Sequence, residues 1–208
     1  MRAFWIGVTL LMLSAGARAQ RDPADLPAHD RHEGLLVAAD PYTDTRAKEK
    51  FGKANPLDVG ILPIEVFFRN DTAKPLRINL DTIRLEIEPS GGTHQRLEAL
   101  TADDVAGQIA HPGGAPNPET ARHRIPRPIP MPSHDKKQEK LAEILRPLEL
   151  GSDVVPPSAT IHGFIFFDLN HNFSLLANAS LYVPDVKPIG AGEPLTYFEL
   201  DLRATAPH

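Results

Sequence analysis

The chain is 208 residues long, with 41% hydrophobic residues, 22 basic against 27 acidic side chains and no cysteine. The acidic balance, with no clustered Lys/Arg face, argues against nucleic-acid binding, which needs phosphate-neutralising cations grouped on one surface. Without cysteine there is no disulfide framework and no thioether-linked lipid anchor, so stability has to come from packing.

Residues 1–19 read as an export signal. Arg2 supplies the positive start, Phe4, Trp5, Ile6, Val8, Leu10, Leu11, Met12 and Leu13 the apolar segment, and Ala17-Arg18-Ala19 the small-residue site for cleavage after Ala19. The apolar run is far shorter than the about 20 residues a spanning helix needs, so no membrane span is expected. Losing Arg2 and Arg18 makes the remaining chain more acidic still. A cysteine-free exported chain points to a bacterial periplasmic or secreted protein.

Residues 20–33 are polar and Pro-broken, and the expectation is a flexible leader. Leu35 to Ala39 predicts a short strand, and Asp44 to Phe51 a helix with Gly52 at its C-terminal cap. Leu62, Ile64, Val66 and Phe68 then alternate with Pro63, Glu65, Phe67 and Arg69 at the period of two of pleated backbone. Asn70 to Pro75 is turn chemistry. Leu76, Ile78 and Leu80 predict a partner strand, kinked near Asp81 and continued by Ile83, Leu85 and Ile87. Pro89-Ser90-Gly91-Gly92 ends it, and Thr93 to Leu97 returns.

Thr101 with Asp104 three residues later forms a capping pattern for a helix over about 102–109, with Leu100 and Val105 as the apolar pair around it. Pro126, Pro128, Pro130 and Pro132 impose an extended segment barred from a sheet interior. Asp135 is placed as the N-cap of a second helix, whose Leu141, Ile144 and Leu145 pack one face and which Pro147 ends. Residues 159–169 predict a central strand with apolar residues on both faces. Leu175 to Tyr182 predicts another, and Tyr197 to Leu202 the last.

These short strands, separated by turn signals and without alternating helices, define a mostly β chain of two packed antiparallel sheets. The β-sandwich domain is placed at 34–203, with a small helical, Pro-rich insertion at 101–150. Gly60-Ile61-Leu62-Pro63-Ile64-Glu65-Val66-Phe67-Phe68-Arg69-Asn70 running into a polar turn, and Pro156-Pro157-Ser158 followed by Gly163-Phe164-Ile165-Phe166-Phe167, resemble the immunoglobulin-like modules of uncharacterised exported bacterial proteins. That resemblance implies an immunoglobulin-like antiparallel β-sandwich with a binding or spacing role, and it transfers no functional residue.

His29 and His32 fall in the leader. His111, His123 and His134 share the insertion, but zinc needs three or four convergent ligands and their spacing fits no zinc pattern. Asp168-Leu169-Asn170-His171-Asn172 imitates the start of a calcium loop, yet Phe173 stands where the turn needs Gly and Ala179 where a bidentate Glu should close the cage, so a turn is expected. Nucleophile elbows, cysteine nucleophiles and phosphate loops do not occur. His162, Asp168, His171 and Ser174 form the sole local acid, base and hydroxyl grouping, with His162 and Asp168 roughly 20 Å apart along one strand.

No residue is therefore singled out as catalytic, metal-binding or cofactor-binding, and no cofactor is expected. The expected role is a noncatalytic exported binding or accessory module whose partner is a protein or envelope component. Two alternatives stay open: a metal-binding or metal-dependent hydrolytic protein using the loop histidines, and a structural spacer in an envelope assembly.

Overall fold

The computed structural model describes residues 22–88, 93–112, 135–190 and 192–205. The predicted export signal, the Pro89 to Gly92 turn, the Pro126 to Pro132 run, His123 and His134 lie outside them. The strands in chain order are β1 (Ala28–His32), β2 (Leu35–Pro41), β3 (Ile61–Asn70), β4 (Leu76–Ile78), β5 (Arg84–Ile87), β6 (Gln95–Glu98), β7 (Val154–Val155), β8 (Ala159–Asp168), β9 (Ala179–Val183), β10 (Val186–Pro188) and β11 (Phe198–Asp201). The α-helices are α1 (Thr45–Phe51), α2 (Ala102–Ala110) and α3 (Lys136–Leu145).

The protein is mostly β, with three antiparallel sheets ordered β1-β2-β3-β8, β10-β4-β7 and β11-β9-β5-β6. β3 is the spine of the first. Leu62, Ile64, Val66 and Phe68 face a core shared with Leu35 and Val37 of β2, Leu85 and Ile87 of β5, Leu181 and Val183 of β9, and Phe198 and Leu200 of β11. Burying such side chains contributes about 1.5–3 kcal/mol each, enough to fix strand register without disulfides.

The opposite face of β3 is also covered. Ile61, with Phe164 and Phe166 of β8, packs under Phe51 of α1, Val105 and Ala106 of α2, and Leu141 and Leu145 of α3. Farther along, Phe67 joins Leu36, Ala38 and Leu26 in a smaller cluster. Tyr42 N–H donates to the Pro63 carbonyl at 3.0 Å, but proline has no N–H to return, and β2 has already ended at Pro41.

The leader is corrected by the structure. A 3-10 turn, Pro23–Asp25, is capped by the Asp22 side chain, and Ala28–His32 then pairs with β2 through a two-residue turn. Glu33 and Gly34 both have positive φ, the geometry of a turn that matches the twist of a hairpin. The segment looks dispensable by composition because β1 buries only Ala28; backbone pairing, rather than apolar burial, orders it.

The partner strand predicted after Asn70 pairs elsewhere. β4 joins β7 and β10, whereas β3 is flanked by β2 and β8. The predicted kink is the 3-10 turn Leu80–Thr82, where the chain changes sheets, since β5 pairs with β6 and β9. Phe173–Asn178 is a 3-10 helix, so the strand expected from Leu175 starts at Ala179.

β8 lies at the end of its sheet rather than in the middle, and its apolar character has a different cause. Leu100 N–H donates to the Phe166 carbonyl at 2.8 Å, Leu150 N–H to the Phe164 carbonyl at 3.0 Å, and Phe164 N–H to the Leu148 carbonyl at 2.8 Å. The chain is therefore hydrogen-bonded to the outer edge of β8 both just before and at the end of the 101–150 segment. The two helices start as predicted. Thr101 and Asp104 make the reciprocal capping box, and the Asp135 carboxylate accepts from the Lys137 and Gln138 N–H groups. Within α3, Leu141, Ala142 and Leu145 pack inward while Ile144 is 40% exposed, contrary to the expectation for Ile144. Arg146 reaches Asp103 at 2.7 Å and Lys137 reaches the Ala110 carbonyl at 2.9 Å, so α2 and α3 run antiparallel.

Candidate functional sites on two sheet faces

One polar assembly interrupts the covered face of β3. Register places Asp40, Glu65 and Phe164 in one row across β2, β3 and β8, between the helical layer and the Phe67 cluster. Glu65 is only 8% exposed. Its Oε2 accepts from the Tyr42 hydroxyl at 2.7 Å, and its Oε1 lies 3.0 Å from His162 Nδ1. A carboxylate only accepts, so His162 donates from Nδ1 and its Nε2 is left for solvent or another group.

The rest of this assembly holds Tyr42. Its ring packs edge-on to Phe164 with centroids 5.0 Å apart, and the Arg46 guanidinium lies 4.5 Å above it while also binding Asp40 at 2.8 Å. Burial first, and then the hydrogen bond to Glu65, push the Tyr42 hydroxyl above the usual tyrosine range. The chemistry is that of a buried carboxylate satisfied from two sides, which ties the start of the helical layer to β8.

The second assembly lies on the outer face of the β11-β9-β5-β6 sheet. Register aligns Glu199, Tyr182, Arg84 and Glu98 in one row and Asp201, Ser180, Glu86 and Arg96 in the next. Beside them a groove of about 280 Å³ is lined by Glu88, Asn178, Ser180, Glu199, Asp201 and Arg203. Ser180 Oγ donates to Glu199 at 3.0 Å, and Arg203 grips Asp201 with contacts of 2.9 and 2.6 Å. The Arg203 hydrogen bonds hold the Asp201 carboxyl below the usual carboxylate range.

Aromatic surface adjoins these polar groups. Tyr182 and Tyr197 rings lie 5.2 Å apart at 36°, and the Arg84 guanidinium sits 4.4 Å over Tyr182. Tyr197 is 49% exposed. Rigid aromatics and Arg next to hydrogen-bonding groups are the side chains that carry recognition energy at protein surfaces.

The other candidate residues do not converge. His29 and His32 occupy opposite faces of β1: His29 Nδ1 lies 2.6 Å from the Leu26 carbonyl, and His32 stacks on Phe198 at 3.9 Å. His111 bonds Asp135. The Asp168 to Asn172 segment is a turn, with Asn170 and His171 at positive φ and Asp168 accepting from the Asn170 N–H. Ser174 donates to Asn172. Among the described residues no three His, Cys, Asp or Glu side chains are grouped to hold a metal ion, and no helix is long and apolar enough to cross a membrane.

Sequence reasoning passed over Glu65 and its link to His162. The available signal was one carboxylate in the middle of an otherwise apolar strand segment, which has to find partners when buried.

No protein-family model and no curated protein matches this chain. A crystal structure of a functionally unknown protein from Listeria monocytogenes EGD-e is similar with a TM-score of 0.35 and 14% identity, covering 81% of this chain and 82% of that one.

Proposed function

We propose that the protein is exported and processed after Ala19, and that it serves as an immunoglobulin-like binding or accessory module of the bacterial periplasm or cell exterior. Its recognition surface is the outer face of the β11-β9-β5-β6 sheet, and its partner is a protein or envelope component. The charged start, apolar run and small-residue cleavage site support export. Packed antiparallel sheets around one shared core support the sandwich type.

The observation that carries the binding role is the juxtaposition of Tyr197, Tyr182 and Arg84 with the Ser180–Glu199 groove on a single sheet face. To test it, the wild type and an Arg84→Ala/Tyr197→Ala variant are immobilised and exposed to detergent-solubilised envelope fractions. A component captured by the wild type is then identified and titrated in purified form. The variant should bind it at least about tenfold more weakly, the loss expected for two truncated surface anchors. Equal affinity of the two proteins would remove this face from the proposal. Cell fractionation with N-terminal sequencing should place the protein outside the cytoplasm with Gln20 first; cytoplasmic protein starting at Met1 would remove export.

A further inference from the structure

We propose that the edge of β6 is a self-association surface, on which a second copy of this chain pairs antiparallel about Leu97. β6 is the terminal strand of its sheet, and among the described residues no backbone hydrogen bond reaches it from the side away from β5. Gln95, Arg96 and Glu98 are exposed, while Leu97 is partly buried against the core. An edge of this kind presents unsatisfied N–H and C=O groups that another strand can complete.

Symmetry selects the occupant and the register. Two identical antiparallel strands related by a twofold axis perpendicular to the sheet must oppose one residue to its own copy across that axis, because directly opposed residues share a face. With the two Leu97 residues opposed across the axis, Arg96 of each copy faces Glu98 of the other, giving two opposite-charge pairs. An axis at Arg96 would oppose two arginines, and one at Glu98 two glutamates. Opposed like charges disfavour strand pairing and opposed unlike charges favour it, so the Arg96-Leu97-Glu98 run is complementary to itself in one register.

Arg96 lies 3.5 Å from Glu86 within its own chain, and Glu98 is in register with Arg84. The intermolecular pairs extend this checkerboard of charge across the axis. A single sheet then runs through both copies and carries both outer faces on one side. A four-residue edge is small beside stable interfaces, so the dimer belongs to high protein concentration and low salt.

The test is sedimentation equilibrium of the purified protein at low ionic strength, with circular dichroism verifying that each variant keeps its fold. Wild type should show a monomer–dimer equilibrium. Arg96→Glu and Glu98→Arg should each weaken it by about tenfold, since two attractive cross-strand pairs become repulsive. Mixing the two variants should restore dimer to the wild-type level, because the heterodimer has acids only opposite bases. A wild type that stays monomeric at millimolar concentration overturns the proposal, as does a dimer indifferent to either reversal or a mixture that fails to recover.

Discussion

Replacing Gly163 with alanine would set a methyl group 2.6 Å from Leu150 Cα and 2.7 Å from Leu150 N, inside the distance that packed carbon atoms tolerate. Both nearest atoms are backbone, so no side-chain rotation relieves the clash. β8 or the 148–150 segment has to move, and that segment holds β8 through the two hydrogen bonds it exchanges with Phe164. Overpacking of this kind costs about 1–3 kcal/mol, and each lost backbone bond roughly 1 more, so a total of about 2–4 kcal/mol is expected. At about 2–4 °C per kcal/mol for a domain of this size, Tm should fall by roughly 5–15 °C. Thermal unfolding followed by circular dichroism measures the shift. Amide hydrogen exchange should show faster exchange at Leu150 and Phe164 while Phe68, which faces the core shared with β5, β9 and β11, changes less. A Tm within about 1 °C of wild type, with unchanged exchange at Leu150, would refute the claim that this close approach anchors the 148–150 segment to β8.

Asn70 is fully buried; its Nδ2 donates to the carbonyls of Lys74 and Val155, and its Oδ1 accepts from Thr72. Asn70→Ala strands those groups and should cost about 2–3 kcal/mol in urea unfolding, with m unchanged. Thr101→Ala removes one half of the capping box and should cost about 1 kcal/mol by the same measurement. The raised Tyr42 pKa makes a pH prediction. The folded chain keeps this proton where the unfolded chain has lost it, so the stabilisation is complete below about pH 10, the ordinary tyrosine value, and declines as pH rises from there. The Tm advantage of wild type over Tyr42→Phe should thus be constant between pH 7 and 9 and shrink above pH 10. An advantage that grows with alkalinity would contradict the Tyr42–Glu65 geometry.

What could be read from sequence was what local physics decides. Thr101 and Asp104 fix a helix start through bonds within one turn, and the alternation from Leu62 to Phe68 fixes an extended segment regardless of what covers it. Partners were illegible. The same alternation serves a strand open on one face and one sandwiched between a core and helices, and only the helices' arrival distinguishes them. β1 escaped notice because an edge strand needs backbone bonds more than apolar side chains, and Glu33-Gly34 is a weaker turn signal than Asn-Gly. The Leu175 to Asn178 part of the 3-10 helix is predicted extended because Leu175 and Ala177 alternate with Leu176 and Asn178 as in a strand. Glu65 and His162 are far apart along the chain, and their contact depends on the β3–β8 register, which opposes Glu65 to Phe164. The Tyr182, Tyr197 and Arg84 surface was equally hidden, since three separate segments build it.

The hydrogen bonds that pin Leu100 and the 148–150 segment to β8 have a practical side. They fasten the α2–α3 pair to an existing strand edge at both stems, through Leu100 before the helices and through Leu148 and Leu150 after them. A foreign epitope or a reporter peptide spliced between His111 and Asp135 would be flanked by two helices whose outer ends are already held to β8.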